Sequence, residues 1–262
     1  MHEIADIACN FTSDRFDNDL NEVIDQAIAN NITKFGLICS RLSDLDKLLE
    51  IYNRYSKDMF FTIGVHPHHA NEINKEYLEK LKEVINKNNP HAIGETGLDF
   101  FRNLSTYEEQ VFAFEEQIKI AIKANKPLFL HQRDSHDDFI KILRKYSSNI
   151  NKAVVHCFTG TQQQLDDYLE LDCYIGVTGW ICDVKRNVEL RKTIKNIPLE
   201  RLMIETDCPY LIPKNLPEKP KNNRNEPNNL NHIVSDIGVL MGINENILRK
   251  ETFKNTIKFF NS

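Results

Sequence analysis

Five of the nine histidines, His66, His68, His69, His131 and His156, stand directly behind short apolar runs, as do Glu95, Glu205 and Asp207. Imidazole nitrogens and carboxylate oxygens drawn from separate segments make a donor set for a divalent metal ion. Glu95, His131, His156 and Asp207 are the best such set, because they come from four different runs. A coordination position left open would take water or a substrate oxygen, and the ion would acidify that water or polarise a phosphoryl or carbonyl group. A carboxylate close by, Asp207 or Glu95, would accept the proton. This is the chemistry of a hydrolase.

Each residue has a plainer use as well. A lone histidine or glutamate at the end of a strand more often caps a loop or satisfies a buried hydrogen bond. Four at successive strand ends are not independent, and together they read as a site. His2, His91 and His232 are terminal, ahead of a strand and within a helix, and read as structural or solvated. His136 in HQRDSHDD starts a helix as readily as it touches substrate, and Trp180 packs a loop as readily as it stacks on a base.

The elements that must position these groups follow from periodicity. β-branched and aromatic runs predict strands at Glu3 to Cys9, Lys34 to Ser40, Met59 to Val65, Ala92 to Glu95, Pro127 to His131, Ala153 to Cys157, Cys173 to Thr178 and Arg201 to Glu205. Helical spacing fills the gaps, as in Leu20, Val23, Ile24 and Ala27, or Val111, Phe114, Ile118 and Ala121 behind a capping box at Ser105 and Glu108. Ile194 and Ile197 mark a weaker seventh helix, and two more close the chain around Ile233 and Leu248. Eight strand–helix alternations predict an α/β fold of one domain, residues 1–262, closed as a (β/α)8 TIM barrel, whose reacting groups come from the C-terminal ends of its strands. Asp6 and Asn10 stand at the end of the first strand and join the candidate site. A doubly wound sheet has fewer strands, and its Gly-x-Gly-x-x-Gly turn is missing.

The composition is ordinary for a globular protein, with 41% hydrophobic and 27% charged residues, which excludes disordered and fibrous classes. Net charge is -5, so no global positive field gathers polyanions, and any such ligand needs a local site. Lys219, Lys221 and Arg224, in a proline-rich stretch behind the last strand, are the best cationic cluster for phosphate; Arg102, Arg133, Lys185 and Arg186 read as a solvated face. No run of 18 apolar residues occurs and the N-terminus lacks the form of a signal peptide, so the expectation is a cytoplasmic protein with no membrane contact. Six cysteines without Cys-x-x-Cys spacing suit reduced thiols.

The segments GVHPH (64–68), IGETGLDF (93–100), HQRDSH (131–136), HCFTG (156–160), IGVTGWICD (175–183), IETDCPYL (204–211) and RNEP (224–227) resemble, in order and along the whole chain, the motifs of the TatD family of metal-dependent deoxyribonucleases. The resemblance implies a barrel of the amidohydrolase-like type and a divalent metal, magnesium by family habit with manganese or zinc as alternatives. It implies 3'-to-5' exonuclease action on single-stranded DNA or RNA, with a part in DNA repair; a monomer is the expectation for the chain. Glu95, His131 and His156 match the family's metal ligands, and Asp207 its strand-eight aspartate, ligand or proton acceptor. On this reading His66 and His68 position phosphate or protonate the leaving oxygen, and Arg224 neutralises backbone charge. One departure stands out: where many members carry Asp-x-His-x-His, this chain reads Asp6-Ile7-Ala8-Cys9-Asn10, similar to the branch that gives the family its name. Ala8 cannot ligate, which counts against a tightly held two-metal centre. Hydrolysis of a small amide, ester or lactone, and metal or nucleic-acid binding without turnover, are the competing readings.

Overall fold

The computed structural model describes residues 2–220 and 222–261, so Lys221 of the basic loop lies outside the described residues. Parallel strands β1 (Ile4–Cys9), β2 (Ile32–Leu37), β3 (Met59–Ile63), β4 (Ala92–Asp99), β5 (Leu128–Arg133), β6 (Ala153–Val155), β7 (Tyr174–Val177) and β8 (Leu202–Ile204) pair in chain order. Helices α1 (Leu20–Ala29), α2 (Leu45–Arg54), α3 (Lys75–Asn88), α4 (Tyr107–Ala124), α5 (His136–Tyr146), α6 (Gln162–Glu170) and α7 (Val188–Thr193) connect them. α8 (Leu230–Met241) and α9 (Glu245–Phe260) follow the last strand. This is the expected (β/α)8 barrel.

Boundaries moved where local chemistry decided them. β4 runs four residues past Glu95, through Gly97, to Asp99. The capping box on α4 is Thr106 with Glu109, while Ser105 Oγ instead accepts the Asn71 N–H. The seventh helix lies at Val188–Thr193, ahead of the isoleucines that suggested it.

The lower end of the barrel is filled by apolar side chains, so chemistry is confined to the other end. Ile7, Phe129, Tyr174 and Met203 meet Phe259 and Phe260 of α9 there, and Phe60 stacks on Phe260 at 4.7 Å. Each such side chain contributes about 1.5–3 kcal/mol by leaving water. All six cysteines are free thiols.

Closure of the ring is the weak point, because β8 is only three residues long. One parallel bridge, Cys9 to Cys208, joins its continuation to β1, and the Asn10 N–H donates to the Cys208 carbonyl at 2.8 Å. A side chain supplies the rest. Asp6, expected at the substrate site, is fully buried below it; its Oδ1 accepts the Thr206 N–H at 2.9 Å and its Oδ2 the Thr206 hydroxyl at 2.5 Å. Asp6 is a clasp across the seam, doing what missing strand hydrogen bonds would do.

Burial lifts the Asp6 carboxyl to about 7, against the pull of its Thr206 and Ala8 hydrogen bonds. Its folded value exceeds the unfolded one, so its contribution to stability is full below about 4 and lost as pH rises through about 7. Asp6→Asn, which cannot ionise, is therefore expected to lose less stability than the wild type between about pH 5 and pH 8. Thermal unfolding across that range tests this; parallel curves for the two proteins would refute it.

Candidate metal centre at the barrel mouth

Behind β3 the chain turns at Pro67 into a 3-10 turn, Pro67–Glu72, and the turn sets the first imidazole. His66 Nδ1 accepts the His68 N–H at 3.1 Å, so the ring proton sits on Nε2, 3.3 Å from Glu95 Oε1. Burial pushes His66 down to about 4, with Glu95 pulling the other way, so the ring is neutral near pH 7.

Glu95, 6% exposed within β4, is the convergence point. Besides His66 Nε2, its Oε1 lies 3.0 Å from His131 Nδ1 and 2.8 Å from His156 Nε2, and those two nitrogens are 3.4 Å apart. Burial alone would raise the Glu95 carboxyl, but the charge on His156 and the histidine hydrogen bonds hold it well below its ordinary range. His156 in turn goes well up, since Glu95 and Glu205 overcome the cost of burying its charge.

The period-two alternation of β4 puts Glu95, Gly97 and Asp99 on one face, and Gly97 pairs with His131 of β5. Gly97 has φ of +148°, and a Cβ there would meet the His131 carbonyl oxygen at 1.9 Å. Absence of a side chain lets the two strands close and stands His131 between two carboxylates: Nδ1 on Glu95, Nε2 3.3 Å from Asp99 Oδ2. Asp99 also takes His68 Nε2 at 2.8 Å and the Arg102 N–H. Burial works against it, yet the His131 and His68 hydrogen bonds keep it ionised and push His131 up.

On the far side Glu205, fully buried behind β8, accepts the Cys157 N–H on Oε1 at 2.5 Å and places Oε2 3.4 Å from His156 Nδ1. Gly176 of β7 leaves the space, as its Cβ would meet Glu205 Oε1 at 2.7 Å. Asp207 sits two residues on, in a left-handed conformation with φ of 55°. Its Oδ1 accepts the Asn10 amide at 2.9 Å, and Asn10 also donates to the Cys208 carbonyl. Burial lifts the Asp207 carboxyl to about 7, opposed by His156 and aided by Glu95 and Glu205.

The structure thus brings together Glu95, His131, His156 and His66, with Asp207 electrostatically coupled to them and His68 one step out on Asp99. Asn10 meets Asp207 rather than solvent, and Asp6 lies on the seam. Asp99 and Glu205 were missed as parts of the site. Continuing the alternation from Glu95 would have found Asp99; Glu205 stood beside Asp207 in the same motif without a feature to separate their roles.

The donors suit a cation. Three imidazole nitrogens crowd a single carboxylate oxygen, and His66, Glu95 and His131 offer ligand atoms within 4.8 Å of one another. His156 Nδ1 and Glu205 Oε2 are buried without a hydrogen-bond partner, though 3.4 Å apart. A ligand drawing His156 Nε2 inward would leave Nδ1–H for Glu205, and Asp99 already holds His131 in that manner.

Arg224 corrects an expectation. Its guanidinium is 4% exposed and lies 4.7 Å over the Phe16 ring. It donates to both Asp19 oxygens at 2.7 Å, to Glu226 Oε1 at 2.7 Å and to the Arg15 carbonyl. Three acceptors within one fork leave no donor for a phosphate, so it pins the loop behind β8 to the β1–α1 connection.

A closed parallel barrel with histidines and carboxylates converging at the C-terminal ends of its strands is a hydrolase barrel of the metal-dependent, amidohydrolase-like class. The chain belongs to the TatD related DNase family, whose model matches residues 5–261. It is 40% identical over 255 residues to the 3'-5' ssDNA/RNA exonuclease TatD of Erwinia billingiae, covering 97% of this chain and 98% of that one. It is 38% identical over 260 residues to the protein of the same name from Pantoea ananatis, again covering 97% and 98%. A TatD family hydrolase from Entamoeba histolytica superposes with a TM-score of 0.89 at 31% identity over 98% of each chain.

Arg224→Ala leaves Glu226 and half-exposed Asp19 without their cation and is expected to cost about 2 kcal/mol, below the usual figure for a fully buried pair. Its KM for an oligonucleotide should stay within about twofold of wild type, a change too small for a lost charge-assisted phosphate contact. An unchanged Tm with a raised KM would return Arg224 to the substrate.

Proposed function

We propose that this protein removes nucleotides from the 3' end of single-stranded DNA, and of RNA, by metal-dependent hydrolysis. The observation that carries the reading is the convergence of Glu95, His131 and His156 on one point, in a chain whose relatives of nearly equal length bear the name 3'-5' ssDNA/RNA exonuclease. Glu95, His131 and His156 would hold one divalent ion, with Asp207 at its rim. When bound, that ion supplies Lewis-acid polarisation of a phosphoryl oxygen and acidifies water.

The chain's own groups do the rest. Asn10 fixes Asp207 Oδ1, leaving Oδ2 to take the proton of the water that attacks phosphorus. The neutral His66 ring, whose Nε2–H faces Glu95 Oε1, would turn that N–H to a phosphate oxygen, and a neutral ring with so low a value serves as donor rather than acid. His68 stands beside it, rings 4.2 Å apart, steadied by Asp99.

A cleft of about 590 Å³ opens beside the centre, above β4 and β5. In it the Arg133 guanidinium lies 3.8 Å over Phe101, whose ring is 57% exposed. Arg133 is two residues beyond His131, one step of about 6.6 Å along the strand. An exposed aromatic backed by a cation is a surface on which a base stacks without sequence preference. Asp137 and Asp138 line the same cleft, so bases rather than phosphates face it.

The whole centre comes from one chain, which supports action as a monomer, and six free thiols suit the reducing cytoplasm. Magnesium is the family expectation, whereas imidazole ligands favour manganese or zinc.

Chelator-stripped protein, given magnesium, manganese or zinc and oligonucleotides labelled at either end, tests the reading. A 5' label should yield a shortening ladder and a 3' label should be lost at once, with Glu95→Ala slower by about 100-fold or more. Cleavage of acyl substrates in preference to oligonucleotides would replace the nuclease by a small-molecule hydrolase; no turnover with any metal would replace it by a binder. Phe101→Ala should bind single strands about tenfold more weakly, since stacking contributes about 1–3 kcal/mol per base. Unchanged affinity would remove the cleft from the substrate path.

A further inference from the structure

Beyond the barrel mouth, two other groups of ligating side chains stand together among the described residues. Asp6, Cys9 and Cys208 are fully buried and both Asp6 oxygens are taken by Thr206, so this group is closed to an ion. Cys182, His232 and Asp236 differ in access, since two of the three reach the surface.

Cys182 ends the 3-10 turn Gly179–Cys182 behind β7, where the Thr178 hydroxyl accepts the Trp180 N–H. His232 and Asp236 are four residues apart on α8, one turn, and so share a face. The turn and the helix pack together and bring one ligand atom from each of the three residues within 4.8 Å of the others. The long loop behind β8 joins them through Asn215. Its Oδ1 lies 2.7 Å from His232 Nε2 and its Nδ2 donates to Asp236 Oδ2 at 2.8 Å. His232, read from sequence as structural or solvated, is therefore one corner of a thiol, imidazole, carboxylate and amide cluster.

We propose that Cys182, His232 and Asp236 form a second metal site, for zinc or a similarly thiophilic divalent ion, separate from the hydrolytic centre. The donor types decide the metal: magnesium and calcium take oxygen, whereas a thiolate with an imidazole selects zinc, cobalt or cadmium. Tetrahedral zinc takes four donors; Cys182, His232 and Asp236 supply three and water the fourth, while the Asn215 oxygen holds His232 Nε2 and steadies the ring from behind. Access is one-sided and sufficient, with His232 and Asp236 half-buried at the surface and Cys182 1% exposed behind them. On binding, the sulfur–metal bond replaces the S–H bond and the thiol proton passes to solvent. The ion would tie together the turn behind β7, α8 and the loop behind β8. That loop carries Asp207 near its start, so the site stiffens one wall of the barrel mouth without entering it.

The test is spectroscopic and does not rest on nuclease activity. Chelator-stripped full-length protein titrated with Co²⁺ should develop a thiolate-to-cobalt charge-transfer band and the visible bands of a tetrahedral ion. Zn²⁺ should then bleach the charge-transfer band within two equivalents, one for each centre, and raise Tm. The charge-transfer band should persist in Glu95→Ala, vanish in Cys182→Ser, and need about tenfold or more Co²⁺ in Asp236→Asn, a half-buried position whose folding circular dichroism checks. A charge-transfer band absent from the wild type, retained in Cys182→Ser, or lost in Glu95→Ala but unchanged in Asp236→Asn would overturn the proposal.

Discussion

A buried carboxylate oxygen facing three imidazoles is the constraint around which this molecule is arranged. Glu95 is 6% exposed, and removing its charge from water is affordable only because His156 carries the opposite charge at 2.8 Å and His131 bonds at 3.0 Å. Such a group is stable only if every partner is held in place, since one absent partner leaves an uncompensated buried charge. The barrel is what holds them. His66, Glu95, His131 and His156 come from four consecutive strands, and the parallel register fixes their heights relative to one another.

Two carboxylates and two glycines finish the arrangement. Asp99 grips the outer nitrogen of His131 and Glu205 faces the outer nitrogen of His156, so each ring is steered from behind by an anion. Gly97 and Gly176 lie where a methyl group would strike the His131 carbonyl or the Glu205 carboxylate. Their role is to be small: the strands must approach closely enough for the carboxylates behind to reach the rings in front. Side chains and backbone are specified together at this end, whereas the other end needs only volume, which Phe259 and Phe260 supply.

This division explains what could be read from sequence. Apolar periodicity is a strong signal for elements buried on both faces, so all eight strands and their order were legible, and residue type alone singled out Glu95, His131 and His156, which the fold brings together. Strand ends were not. Glycine reads locally as a terminator, so β4 was stopped at Glu95 although its ladder continues through Gly97 to Asp99, and Asp99 was lost with it. Arg224 and Asp6 failed for another reason: a charge near a presumed site looks like a ligand-binding group until its partner is known. Asp19 and Thr206, the partners, lie about 200 residues away in sequence, a relation that spacing does not encode.

The first strand shows how one change of residue type redirects a whole element. Where a histidine pair would ligate, Ala8 offers nothing and Asn10 spends its amide on Asp207 and the Cys208 carbonyl. β1 therefore contributes geometry rather than ligands: Asp6 clasps the seam through Thr206, and Asn10, four residues further, steadies the aspartate that follows. Both contacts fall on the run Thr206, Asp207 and Cys208, where β8 is too short to pair by backbone alone. The anionic charge left to face an ion is that of Glu95 and Asp207, since Asp99 and Glu205 are committed behind the histidines. Two carboxylates balance one divalent cation; a second would enter a low-dielectric site with no anion of its own, and repulsion between the ions would oppose it until a substrate phosphate brought the missing charge.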